Sequence, residues 1–198
     1  MIKKIVIIGP ESTGKSTLCE KLAEHYNTLW TPEYAREYLE KNGPEYTYDD
    51  LLTIAKGQIK VEEDISYQVS GIRYRVSGIS EQSHSPNLIP DTSYLIPLFI
   101  DTDMYVMKVW AEYVFNKCHN WILNQIASRK YDLYLLCDVD LPWVEDALRE
   151  YPDEKIRRKL FLFYKELMVN QSTPWHIISG NYEQRLDRAV KFINNSST

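Results

Sequence analysis

Gly9-Pro10-Glu11-Ser12-Thr13-Gly14-Lys15-Ser16 decides the fold: it matches G-x-x-x-x-G-K-[ST] at every fixed position, directly after an apolar run and before a helical pattern. Glycines at positions 9 and 14 let the backbone wrap an anion without Cβ clashes. Successive N–H groups and the positive end of a helix dipole then face a phosphate. Lys15 adds a charge for the β- and γ-phosphates, and the Ser16 hydroxyl is a ligand for Mg²⁺. Glu11, Ser12, Thr13 and Thr17 complete the expected ATP-binding loop. The motif alone does not separate a kinase from another NTPase, but the chain has no N/T-K-x-D segment of the kind that reads guanine.

Outward from this loop, apolar runs of four to seven residues alternate with longer stretches of helical periodicity, the pattern of a parallel sheet covered by helices on both faces. Strands are expected at 5–8, 27–31, 95–100, 131–137 and 175–179. Helices are expected at 16–26, 32–40, 47–63, 104–117, 153–169 and 182–193, the third opened by Thr47 capping with Asp50. On the helix at 153–169, Ile156, Leu160, Phe163 and Leu167 are expected to face inward. The 198 residues suit one domain. Residues 64–94 break the pattern as an insertion. Within it Tyr67-Gln68-Val69-Ser70-Gly71-Ile72-Arg73 is followed by the near-copy Tyr74-Arg75-Val76-Ser77-Gly78-Ile79-Ser80 and a Ser/Pro/Asn-rich stretch at 83–92. A hairpin turned by the glycines or a mobile loop is the expectation there.

A net charge of −5 with no basic stripe argues against a nucleic-acid partner. Cys19, Cys118 and Cys137 form no CxxC pair and are expected as buried reduced thiols, which points to the cytoplasm. The apolar run before Gly9 is too short for a signal-peptide core, and no stretch reaches a membrane-spanning length. A small-molecule substrate is therefore the expected partner. The aromatic content of 13%, with 15 Tyr and 5 Trp, suits either a Tyr-rich core or a site for a flat ligand.

Phosphoryl transfer needs a metal clamp, a group that orients the acceptor hydroxyl, and cations for the transferred phosphoryl. Asp101 ends an apolar strand, where a carboxylate reaches Mg²⁺ beside the loop; Asp103 can do the same or cap the following helix. Glu33 stands at the C-terminal edge of the second strand, either as acceptor-hydroxyl base or as an acidic residue of the first helical turn. Arg36, one turn on, either binds substrate or pairs with Glu33 or Glu40. A lid at 143–158 carries Asp146, Arg149, Arg157 and Arg158, of which Arg149 and Arg158 are the catalytic candidates. Gly180-Asn181 is a turn or a loop against which adenine packs, and Trp110 suits either the core or a ligand contact.

With these residues placed, the chain resembles the ribosylnicotinamide kinase (nicotinamide riboside kinase) domain of the bifunctional NAD-biosynthesis regulator family, itself similar to nucleoside kinases. The resemblance rests on the phosphate loop through Thr17, Pro32-Glu33-Tyr34-Ala35-Arg36-Glu37-Tyr38, Phe99-Ile100-Asp101-Thr102-Asp103, Lys108-Val109-Trp110, the segment 138–149 and Gly180-Asn181-Tyr182-Glu183-Gln184-Arg185. It implies ATP-dependent phosphorylation of the 5′-hydroxyl of nicotinamide riboside, with Glu33, Tyr34, Arg36, Asp103, Tyr105 and Trp110 about the acceptor. The expected architecture is a P-loop NTPase sandwich with a five-stranded parallel sheet, order 2-3-1-4-5. The rivals are a kinase for another nucleoside or metabolite, and an ATP-binding regulatory module without a dedicated acceptor.

Overall fold

Strand β1 (Lys3–Ile8) divides the core in two, because Ile5 and Ile7 face one side of the sheet while Val6 and Ile8 face the other, all fully buried. The computed structural model describes residues 2–76 and 95–196. After β1 come α1 (Lys15–Tyr26), β2 (Trp30–Thr31), α2 (Tyr34–Asn42), α3 (Tyr48–Val76), β3 (Pro97–Asp101) and α4 (Met104–Phe115). Then follow α5 (Asn120–Ser128), β4 (Leu133–Cys137), α6 (Glu154–Val169), β5 (Trp175–Ile178) and α7 (Tyr182–Asn195). Every strand pair is parallel and the order is β2-β3-β1-β4-β5, as the sequence reading expects.

Leu18, Leu22, Ala189 and Ile193 of α1 and α7 cover the Ile5/Ile7 face, and Val106, Leu160, Phe161 and Tyr164 of α4 and α6 cover the other. A third cluster, with Leu51, Ile54, Met107 and Ile122, joins α2, α3, α4 and α5 to one another. At the sheet end opposite the phosphate loop, the buried Glu62 carboxylate binds Lys4 at 2.7 Å, Arg129 at 3.4 Å and the Tyr131 hydroxyl at 2.9 Å. At that same end Lys3 Nζ donates to the Ile193 carbonyl at 2.8 Å and to Ser196 Oγ at 3.0 Å. None of the described helices is long and apolar enough to cross a membrane.

Several local expectations need correction. The helix expected to stop at 63 continues to Val76 and takes in the first repeat copy, which is neither hairpin nor loop. Its buried positions Leu51, Ile54, Ala55, Gln58, Ile59, Glu62 and Val69 keep helical spacing, and a seven-residue repeat spans about two helical turns, so the copy extends an existing face. Residues 77–80 of the second copy and the stretch 83–92 lie outside the described residues. On α6 the buried stripe is Arg157, Leu160, Phe161, Tyr164 and Met168, and Phe163 is exposed. Helix α5, unassigned from sequence, seats Ile122 in the third cluster. Strand β2 starts only at Trp30, since Asn27 closes α1 in the left-handed region at φ 50°. Cys19 and Cys137 are buried free thiols, whereas Cys118 is only half-buried.

Candidate active site

The phosphate loop follows β1 and opens α1. Gly9 sits at φ 141°, where a Cβ would come within 2.8 Å of the Cys137 carbonyl, so β4 can lie close beneath the loop only if residue 9 is glycine. Thr13 Oγ1 donates to the Pro10 carbonyl at 2.7 Å, and Lys15 Nζ donates to the same oxygen at 3.0 Å. The register pairs Asp101 with Ile7, which brings the carboxylate beneath the loop, and Ser16 Oγ donates to Asp101 Oδ2 at 2.5 Å.

Asp101 is fully buried; that burial raises its carboxyl pKa, against the opposing pull of Lys15. Its Oδ1 has no hydrogen-bond partner. A buried carboxylate with one free oxygen, bonded to a hydroxyl at the phosphate loop, is the hard-oxygen donor set that Mg²⁺ uses when phosphates and waters supply the remaining ligands. No group of three or more His, Cys, Asp or Glu suited to a metal occurs among the described residues, so the fit is to a phosphate-borne ion rather than to an all-protein cage. Asp103 is engaged elsewhere. Its Oδ1 caps α4 by accepting from the Tyr105 and Val106 N–H groups at 3.0 and 3.3 Å, and its Oδ2 accepts from the Tyr134 hydroxyl at 2.9 Å. Burial pushes its pKa up to about 7.

Glu33 occupies the N-cap position of α2 but makes no capping bond with its side chain, and it lies on the wall of a cavity of about 390 Å³. The phosphate loop, Arg36, Arg149 and Trp110 share that wall. Arg36 donates to Asp146 at 2.9 Å, so α2 holds the 143–153 connection through an ion pair. That connection is also fastened to the phosphate loop itself. Glu11 Oε2 accepts from the N–H groups of Glu150 and Tyr151 at 3.0 and 3.1 Å, and Ser12 Oγ accepts from the Val144 N–H at 3.0 Å. Burial raises the Glu11 pKa while these two backbone bonds lower it. Arg149 reaches Ser12 Oγ at 3.5 Å.

Other predicted residues stand off the cavity wall. The Tyr34 ring lies against Gly57, Tyr105 packs edge-on against Tyr134, and Arg158 pairs with Asp138 and Glu154. Asn181 caps α7 in a reciprocal capping box with Gln184. The expected site residues did not include Val106, Val109, Tyr113, Tyr151, Leu160 and Tyr164, which make one end of the cavity apolar and aromatic, or Tyr182, which lies beside Gly14. These come from four separate stretches of chain, and only the fold assembles them. Trp110 both lines the cavity and packs in the third core cluster, its Nε1 held by the Tyr46 hydroxyl at 2.8 Å.

Residues 4–76 and 84–185 match a family described as an AAA domain. The chain belongs to this AAA-domain family. Among curated proteins, this AAA-domain chain is 28% identical over 198 residues to the trifunctional NAD biosynthesis/regulator protein NadR of Salmonella typhimurium strain LT2, and 25% identical over 197 residues to that of Escherichia coli K12. Each alignment covers 97% of this chain but 42% of the relative, so the chain spans under half the length of either NadR. Among solved structures it resembles a NadR protein in complex with NAD and AMP-PNP (TM-score 0.66, 21% identity) and one in complex with NR (TM-score 0.65, 22% identity). Both alignments cover 98% of this chain and 49% of the other. Thymidylate kinase from Ehrlichia chaffeensis shares the fold at TM-score 0.60 and 14% identity, over 96% of this AAA-domain chain and 98% of that kinase.

Proposed function

We propose that the protein is an ATP-dependent kinase that phosphorylates the ribose 5′-hydroxyl of nicotinamide riboside, giving nicotinamide mononucleotide. The observation that carries this reading is a single cavity in which the phosphate loop, the Glu33 carboxylate and an aromatic end share one wall. The similarity to NadR over nearly the whole chain, and a NadR structure that holds NR, support the choice of acceptor.

The loop amides and Lys15 hold the triphosphate, with Arg149 of the lid at the same wall. Ser16 and Asp101 would hold Mg²⁺, which when bound neutralises charge on the phosphates. Glu33 orients the acceptor hydroxyl and takes its proton as the oxygen attacks the γ-phosphorus; the new O–P bond forms, the bond to the β-phosphate oxygen breaks, and ADP leaves. Closure of the 143–158 lid, through Val144, Glu150 and Tyr151, onto Glu11 and Ser12 excludes water, which would otherwise compete as acceptor. Trp110, Tyr113, Tyr151 and Tyr164 offer aromatic faces to a cationic pyridinium ring, a contact worth about 2 kcal/mol when desolvated, or roughly thirtyfold in binding.

Acceptor-dependent ADP release over nicotinamide riboside, its reduced uncharged form, adenosine, thymidine and uridine tests the assignment. The expected result is fastest turnover on nicotinamide riboside, with Glu33→Gln lowering turnover by about 10²–10⁴-fold at little-changed ATP affinity. Equal rates on the charged and reduced rings remove the cation–π argument, and no rate on nicotinamide riboside removes it as the acceptor.

A further inference from the structure

Among the described residues Arg185 is the largest fully buried side chain, although it sits on α7, outside every motif that binds phosphate. Its Nη1 donates to the Thr13 carbonyl at 2.8 Å, its Nε to the Gly180 carbonyl at 2.7 Å and its Nη2 to the Asp138 carbonyl at 3.0 Å. Nη2 also pairs with Asp140 Oδ1, and Asp140 Oδ2 accepts from the Gly180 N–H at 2.5 Å. One guanidinium thus joins the loops that follow β1, β4 and β5. Only a planar fork of five donors can hold three carbonyls and a carboxylate at once. With Asp140 balancing the charge, the effect on the phosphate loop is geometric rather than Coulombic.

We propose that Arg185 is a positioning residue: by holding the Thr13 carbonyl, it aims the Gly14 N–H into the phosphate-binding cradle. The peptide between residues 13 and 14 is planar and trans, so its C=O and N–H point in opposite directions. With the carbonyl drawn toward Arg185, the amide hydrogen faces the other way, toward the cavity that Thr13 and Gly14 line. The glycine at φ 74° tolerates the flipped peptide as readily as this one, so sequence alone does not set the orientation. A flip would present a carbonyl oxygen to an anion and withdraw a donor from it. Arg185 removes that alternative from a distance. The proposal rests on the nucleotide-binding reading of the loop but not on the identity of the acceptor.

Calorimetric binding of ATP and of inorganic tripolyphosphate to Arg185→Met tests it. Both ligands are expected to weaken by the same factor, about tenfold or more, the scale set by losing a donor to a charged group, while nucleoside binding stays within twofold. Where Arg185→Met does not fold, Arg185→Lys, which keeps the charge without the fork, is measured the same way. The comparison protein is Arg129→Met, which loses its pairing with Glu62 at the far end of the sheet; it is expected to lose thermal stability with tripolyphosphate affinity unchanged. Wild-type tripolyphosphate affinity in either Arg185 variant overturns the proposal, as does an equal loss in Arg129→Met at matched melting temperature. If the wild-type protein phosphorylates no nucleoside, the acceptor assignment falls while the tripolyphosphate comparison still reads Arg185.

Discussion

Lys15 makes one hydrogen bond among the described residues, to the Pro10 carbonyl, so its charge is held at the mouth of the loop at little cost to the fold. Lys15→Ala is expected to change stability by no more than about 1 kcal/mol, the worth of one ordinary hydrogen bond. Turnover should fall by about 10²–10³-fold, because a preorganised charge at the transferring phosphoryl is gone. Thermal melting beside ADP release measures both; near-normal turnover in a folded Lys15→Ala protein would end the phosphotransferase reading. Asp101→Asn keeps an oxygen for Ser16 but loses the charge, so its half-saturating Mg²⁺ concentration should rise by about tenfold or more. Lys15, Ser16 and Asp101 were legible in the sequence, because a motif and a strand end fix where each backbone lies. Tyr34 and Arg185 were not. A helical pattern does not say which neighbouring layer a side chain will meet, and Tyr34 meets Gly57. The partners of Arg185 are carbonyls at residues 13, 138 and 180, which carry no side-chain signature.

The same logic extends to whole elements. Residues 144–151, within the lid proposed at 143–158, have no regular secondary structure, and Glu11 is what gathers the N–H groups of Glu150 and Tyr151; the rest of that segment runs into α6. Glu11→Ala should therefore raise hydrogen exchange at those two amides, while the melting temperature of the sheet core changes little. Unchanged exchange there would show that the lid is held by other contacts. Helix α3 carries two glycines with opposite expected effects. A Cβ at Gly71 would meet nothing within 4 Å, so Gly71→Ala should stabilise the protein by about 0.5–1 kcal/mol through helix propensity. A Cβ at Gly57 would fall 2.0 Å from the Tyr34 ring, so Gly57→Ala should destabilise by about 1–3 kcal/mol through overpacking. Paired denaturation curves measure the two signs. The extent of α3 escaped the sequence reading because glycine and serine in the repeat signal turns locally, while most of the buried positions that keep the segment helical, Leu51 to Glu62, lie before the repeat.

At the scale of the molecule, the sheet order was readable once the phosphate loop fixed β1 and the apolar runs marked the strands, since parallel crossovers permit few arrangements. The cavity was less readable, because its wall draws on residues from Gly9 to Tyr182 in several elements. The bonds from Lys3 to Ile193 and Ser196 have a consequence for how the chain can be rearranged. They bring residues near the two ends of the described chain within one side chain of each other, at the end of the sheet remote from the phosphate loop. A short bridge between these two stretches would lie at that end, away from the phosphate loop and the cavity it lines. Permuted versions that open instead at the connection between α6 and β5, which also lies at the end where the strands begin, would keep every strand neighbour and place the new termini away from the phosphate loop.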